Sequence, residues 1–317
     1  MRPRADSYSV REKTISFLGR KKIGVLYGGW SGERAISLKS GAAVLASLRR
    51  LGIPCVGIDV TPRLPEQIRR SRIGAAFVIL HGPFGEDGTV QGLLEMMRIP
   101  YTGSGVLACA QTMHKPSAKR IFESAGIPTP RWRLVVRDRF RETSMPFKEV
   151  VVKPASQGSA LGVTVVTRKR DFQAALRRSF RYEREALVEE YVRGTEITVA
   201  ILGRRVLPVI EIVPQHAFYD FHSKYAAGGS RHLIPPRLPA GVIRRAEVLA
   251  LRAFDALGCR DLGRVDLIVP ASGRPTVLEV NVLPGMTQTS LFPDAARAAG
   301  LGFDDLILEI LRGLRRS

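Results

Sequence analysis

Cysteine is scarce in this chain of 317 residues. Cys55, Cys109 and Cys259 lie far apart with no CxxC pair, which excludes a disulfide framework and the usual zinc-ligand spacing. Long apolar runs are missing as well: none approaches the ~18 residues that cross a bilayer, so no membrane span is expected. Acidic residues are few, 29 Asp and Glu against 49 Lys and Arg, leaving a net charge of +20 that attracts anions of every kind. Yet the positive charge is dispersed in pairs such as Arg49-Arg50, Arg177-Arg178 and Arg244-Arg245, without interleaved aromatics or a recognisable binding module. A solvated arginine-rich surface fits this pattern better than a nucleic-acid partner does. A reducing cytoplasm is the expected compartment. Residues 1–20 read as a basic tail, because Arg2, Arg4, Arg11, Lys13 and Arg20 come with little apolar periodicity. Asp6 and Glu12 argue against an organellar transit peptide.

What is present is an ordinary globular composition, 45% hydrophobic and 25% charged, in a chain long enough for two or three domains. Residues 23–27 read as a buried strand running into a glycine turn, then a helix carrying Ile36, Val44, Leu48 and Leu51. Strand-like residues 53–58, a short helix and strand-like residues 75–80 follow, the alternation of an α/β unit with a Rossmann-like parallel sheet. Val90, Leu93, Leu94 and Met97 then mark one apolar helix face. A helix from about 111 to Gly126 opens a small α+β unit with strands near 132–136, 150–153, 163–166 and 187–190. The last third starts with a strand at 196–202 and holds a polar, glycine-containing loop at 214–230. It ends in a helix spaced by Phe303, Leu306, Ile307, Ile310, Leu311 and Leu314. The expected division is 21–114, 115–192 and 193–317.

Residues 263–281 carry the most chemistry. A hairpin turning at Ser272-Gly273 puts Arg264, Asp266, Glu279 and Asn281 on one face, with Asp266 opposite Glu279. Facing carboxylates repel unless a cation separates them, and Asp, Glu and Asn oxygens suit hard Mg²⁺. Taken alone, the segment reads equally as a hairpin with a solvated acidic face. Lys153 leaves a strand into a loop with Gly158, Ser159 and Gly162, where bare backbone and an ammonium can meet a polyphosphate. A surface hairpin with a lone lysine is the plain alternative. Glu189, Glu190, Tyr191 and Val192, leading to Glu196, look like a strand end passing into a linker. Exposed backbone there can pair with a base edge, and a carboxylate with ribose. Glu33 follows a strand-to-helix turn suited to anions, and His81 sits in a glycine-rich loop after a strand.

In order and spacing, several motifs together resemble the D-alanine–D-alanine ligases of the ATP-grasp superfamily. They are Gly28-Gly-x-Ser-x-Glu-Arg-x-x-Ser37, His81-Gly-x-x-Gly-Glu-Asp-Gly88, Tyr101-Thr-Gly-Ser-Gly105, Phe218-Tyr-Asp-x-x-x-Lys-Tyr225, Gly263-Arg-x-Asp266, Glu279-x-Asn281 and Pro284-Gly-Met-Thr287. The resemblance runs from about Lys22 to Leu314. It implies a three-domain ATP-grasp fold, α/β followed by α+β. The activity it implies is ATP-dependent joining of two D-alanines through an acyl phosphate, for peptidoglycan precursor synthesis.

Carried over, Lys115, Lys153 and Lys224 would serve the phosphates, Glu189 the adenine amine, Glu190, Tyr191 and Val192 the adenine edge, and Glu196 the ribose. Asp266, Glu279 and Asn281 would hold two Mg²⁺ (or Mn²⁺) ions. Glu33 would take the first D-alanine's ammonium, with Ile36 and His81 beside it, and Ser290 and Leu291 the second substrate's carboxylate. Arg264 and the Gly285 N–H would stabilise the tetrahedral oxyanion, and Tyr225, Ser159 and Glu33 would latch a mobile loop. Lys224-Tyr225 implies D-alanine rather than D-lactate as second substrate, with D-serine a further alternative. A homodimer is the family precedent. A catalytically idle binding protein would have lost ligands that are present here. Ala160 departs from the family, where a second serine is common.

Overall fold

The structure is a computed structural model that describes residues 18–19, 21–214 and 230–315. Most of the expected tail and of the loop at 214–230 therefore lies outside the described residues. Leu18, from the stretch read as tail, is buried in the core.

Three sheets organise the chain. In the first, β1 (Ile23–Gly28) lies between β2 (Cys55–Val60) and β3 (Ala75–Val78), all parallel. Ile23, Val25 and Leu26 are fully buried because helices cover both faces, which is why the strand reads as an unbroken apolar run. The crossovers are α1 (Arg34–Arg50) and α2 (Leu64–Ser71); α3 (Thr89–Met96) and α4 (Val106–Met113) follow. The expected helix across residue 114 is two helices. Pro116 in the first turn of α5 (Lys115–Ser124) brings no N–H for a continuous ladder, and His114 leaves helical geometry.

The second sheet is antiparallel, order β4-β7-β5-β6, from β4 (Trp132–Val136), β5 (Val150–Pro154), β6 (Thr164–Val166) and β7 (Glu185–Glu190). Helix α6 (Phe172–Ser179) lays Phe172, Ala175 and Leu176 on it, and these residues form a core of their own.

The third sheet holds β8 (Thr195–Leu202), β9 (Arg205–Val206), β10 (Ile210–Pro214), β11 (Ser230–Leu233), β12 (Leu262–Val269) and β13 (Thr276–Asn281), in the order β11-β10-β8-β12-β13 with β9 on β8. Helix α7 (Ala240–Ala256) covers one face, with Ala250 and Phe254 against Val265 and Leu267. Helices α8 (Leu291–Ala298) and α9 (Phe303–Leu311) belong to a second cluster that also contains Ile23, Val25, Val44 and Leu48 of the first unit. First and third units thus share apolar cores, whereas the middle sheet keeps its own.

Candidate active site

The hairpin register is the expected one where it matters. Asp266 faces Glu279 and Arg264 faces Asn281, and a bulge after Asp266 shifts the pairs nearer the turn. The cation beside Asp266 is Arg264, whose Nε and Nη2 each donate to its carboxylate at 2.8 Å. Thr198 Oγ1, on the neighbouring strand, donates to Asp266 Oδ1 at 2.6 Å. Asn281 Oδ1 accepts from the Leu283 N–H at 3.2 Å.

A cavity of about 460 Å³ lies between the second and third sheets, lined by Lys153, Glu189, Tyr191, Val192, Glu196 and Asp266 among others. Glu189 is buried, and both flanking lysines pair with it: Lys119 Nζ at 2.5 Å, and Lys153 Nζ in the closest contact. Burial alone would raise the Glu189 carboxyl, but the two ammoniums outweigh it and hold it below its ordinary range. Burial, aided by the like charge of Lys153, lowers Lys119 to about 8. Glu189 is thus shared between two buried ammoniums, and Glu279, on the same cavity, adds a second carboxylate charge that Lys119 feels. Glu190 pairs outward with Arg131, and the Glu190 and Tyr191 N–H groups donate to Arg131 O and Glu149 O within the sheet.

A second cavity, about 770 Å³, is lined by Glu33, Ile36, His81, Arg264, Asn281, Gly285, Ser290 and Leu291. The motif around Glu33 is chiefly scaffolding. Ser37 accepts from Gly28 N and donates to Ile79 O, Arg34 forks onto Asp59 at 2.7 Å, and Ser31 donates to His81 O. These bonds leave the buried Glu33 carboxylate facing the cavity, where Ser159 Oγ donates to it. Two glycines allow that approach: a Cβ at Gly82 or Gly158 would stand 2.7 or 2.6 Å from Glu33 Oε2. His81 is buried, its Nε2 has no hydrogen-bond partner among the described residues, and burial with the nearby Arg264 charge lowers it to about 4. Glu86, also buried, accepts from Gly82 N at 2.7 Å; burial, and next the Glu33 charge, push its carboxyl well above the ordinary range. At the far wall Ser290 precedes α8, and its hydroxyl accepts from Thr287 N at 3.1 Å.

Lys115, Gln157, Gly158, Ser159 and Glu279 line both cavities, so the two meet at the glycine loop and the hairpin. Lys115 secures that junction, its N–H donating to Ala155 O and its ammonium to Gln157 O. All the expected site residues from Glu33 to Leu291 line one cavity or both, except Lys224 and Tyr225, which lie outside the described residues. Lys119, Glu86 and Thr198 are additions. Lys119 follows Lys115 by one helical turn on a helix whose buried face is otherwise Pro116, Ala118 and Phe122, a detectable signal. Thr198 gives none before the strand pairing is known.

The chain matches the family models described as D-ala D-ala ligase N-terminus over residues 60–104 and D-ala D-ala ligase C-terminus over residues 121–312. A D-alanine–D-alanine ligase of Pelotomaculum thermopropionicum is 47% identical, covering 93% of this chain and 99% of the relative. The crystal structure of D-alanine–D-alanine ligase from Bacillus anthracis complexed with ATP superimposes with a TM-score of 0.81 at 34% identity, covering 93% of this chain and 98% of that one. VanG D-Ala:D-Ser ligase from Enterococcus faecalis gives 0.80 at 28% identity, with 93% and 99% covered. With two cavities meeting at one acidic hairpin, and with these matches across nearly its whole length, the chain belongs to the D-alanine–D-alanine ligase family of ATP-grasp proteins.

Proposed function

We propose that the chain joins two D-alanines at the expense of ATP, in three units spanning residues 21–114, 115–192 and 193–317. The observation that carries this is the junction: a cavity sized for a nucleotide, with Lys115 and Lys153 set among carboxylates that include Asp266 and Glu279, opens onto an acid-and-arginine cavity sized for two small zwitterions, across Lys115, Ser159 and Glu279. Lys115 and Lys153 would hold the phosphates, with Lys224 added from the loop. Glu196 would hold the ribose. Because the Glu190 and Tyr191 N–H groups are engaged in the sheet, the adenine edge would fall chiefly to Val192 and to carbonyls. Glu189, shared by two lysines, would meet the adenine amine with whatever lone pairs they leave.

Asp266, Glu279 and Asn281 offer oxygen donors on one face, and Asp266 keeps one lone pair, on Oδ2, beyond those that Arg264 and Thr198 use. The set fits Mg²⁺ or Mn²⁺, two ions being the proposal. Such ions, bound there, neutralise charge on the phosphate oxygens during transfer. The chain's own residues do the rest. Glu33, fixed by Ser159, orients the first ammonium, with Tyr225 completing the latch and Ile36 and His81 walling the methyl side. The first carboxylate oxygen takes the terminal phosphoryl group and ADP leaves. The second amine, having lost a proton, then attacks that carbonyl carbon, and phosphate departs as the peptide bond forms. Arg264 and the Gly285 N–H face the oxyanion of this addition, where a fixed donor is worth most. Ser290 and Leu291 at the start of α8 would receive the second carboxylate.

Working in the cytoplasm as a homodimer completes the proposal. D-alanine is favoured over D-serine as second substrate by the 34% identity to the ATP-bound D-alanine–D-alanine ligase structure against 28% to the D-Ala:D-Ser enzyme structure. ADP release should require D-alanine, with the dipeptide as product, and Glu279→Ala should lower turnover at least about a thousandfold while the melting curve persists. A variant as active as the parent would overturn the assignment, as would a preference for D-lactate at neutral pH.

A further inference from the structure

His232 and Asp294 form a pair that the ligation scheme leaves unused. His232 stands on β11, in register with Ile212, and its Nδ1 lies 2.6 Å from Asp294 Oδ2 on α8. Their side chains are 17% and 15% exposed, far drier than a surface ion pair. Asp294 belongs to the first turn of α8 and its N–H bonds Ser290 O, so its carboxylate shares the helix end where the second substrate's carboxylate would sit. Both residues line the larger cavity. An acid in a first turn favours the helix dipole, which is reason enough for Asp294 in an empty protein. Beside a bound carboxylate, however, the same charge repels. Arg297 answers it at 3.0 Å, but from a 65% exposed side chain that solvent screens. His232 meets the carboxylate from the dry side with its ring Nδ1. Its Nε2 faces Ser230 Oγ at 3.4 Å, where the strand begins.

We propose that His232 is a positioning residue for the second substrate, its ring nitrogen holding the Asp294 carboxylate by a hydrogen bond so that α8 can accept the substrate's carboxylate. This rests on the ligase reading and deepens it by adding a determinant of the acceptor subsite. The pair also ties β11 to the helix that begins at the subsite.

The test is a double-mutant cycle on the full chain with saturating ATP. Initial rates are followed over a wide D-alanine range, where second-order dependence at low concentration separates the two subsites. His232→Ala should raise the second-subsite constant roughly tenfold and leave the first within about twofold. Asp294→Asn should lower it about threefold, and the double variant should return close to the parent, because the carboxylate that His232 holds is gone. His232→Gln, which can keep an N–H toward Asp294, should stay nearer the parent than His232→Ala. A double variant as impaired as His232→Ala, or both subsite constants rising together, would overturn the proposal. Should His232→Ala not fold, Asp294→Asn alone decides it, a lowered constant supporting the proposal and an unchanged or raised one refuting it. Absence of any D-alanine-dependent ADP release by the parent would instead sink the ligase reading, a separate result.

Discussion

At the scale of single residues, the buried Lys119–Glu189–Lys153 group separates folding from function. Glu189→Gln would leave two ammoniums without a counter-ion in a dry site, and should destabilise the chain by about 3–5 kcal/mol in urea titrations. Lys119→Met leaves Glu189 still paired with Lys153 and removes a charge that burial already disfavours. Its stability should change by no more than about 1 kcal/mol, while the KM for ATP rises roughly tenfold. Equal losses of stability in both variants would show that Lys119 serves the fold. His81 supplies a pH test. Its folded pKa, about 4, lies below the ordinary 6.5, so between those values the unfolded chain holds a proton the folded chain rejects. Stability attributable to His81 is therefore present above pH 6.5 and is lost as the pH falls toward 4, by roughly 3 kcal/mol in all. His81→Gln should flatten that part of the profile, and an unchanged slope would argue against a neutral buried imidazole.

Secondary-structure elements place these residues, and much of that placement was readable beforehand. Apolar runs marked β1 and β3, and a period of two put Asp266 and Glu279 on one face; the turn itself lies at Ala271-Ser272, not at the expected Ser272-Gly273, with Gly273 N donating to Pro270 O, and the bulge after Asp266 makes up the difference so that Asp266 still faces Glu279. The bulge after Asp266 was not readable, nor was the break at His114, since both follow from what the neighbouring strand or loop needs. Lys115 N reaching Ala155 O is such a need. The nearness of Glu33 to Gly158 joins residues more than a hundred positions apart, which no local pattern encodes; the family resemblance supplied it and the geometry explains it. Gly158→Ala would set a methyl against Glu33 Oε2, 2.6 Å away. The variant should fold, displace the Ser159–Glu33 contact, and raise the KM for the first D-alanine more than that for ATP. The opposite order would mean that the loop serves the nucleotide alone.

Across the whole molecule, the separateness of the middle core has a mechanical meaning. The first and third units share apolar clusters, while β4–β7 and α6 pack among themselves and face the rest largely across the nucleotide cavity. Units with independent cores open with independent free energies. Hydrogen exchange in β5 and β7 should therefore reveal an opening cheaper than that of β1 or β12, and ATP should raise it toward theirs. A single common opening energy with and without nucleotide would contradict the division.

Helix α9 adds a constraint in time. Asp304 accepts from Ser47 and from Arg50 of α1, and Leu306, Ile307 and Ile310 cluster with Val44 and Leu48. During synthesis the first strands emerge well before Phe303 is added, and at about 5–20 residues per second the delay is on the order of tens of seconds. For that interval the nascent sheet exposes the apolar face of α1, and a chain interrupted before α9 would keep exposing it. Such a fragment would attract chaperones through its oldest helix rather than through its broken end.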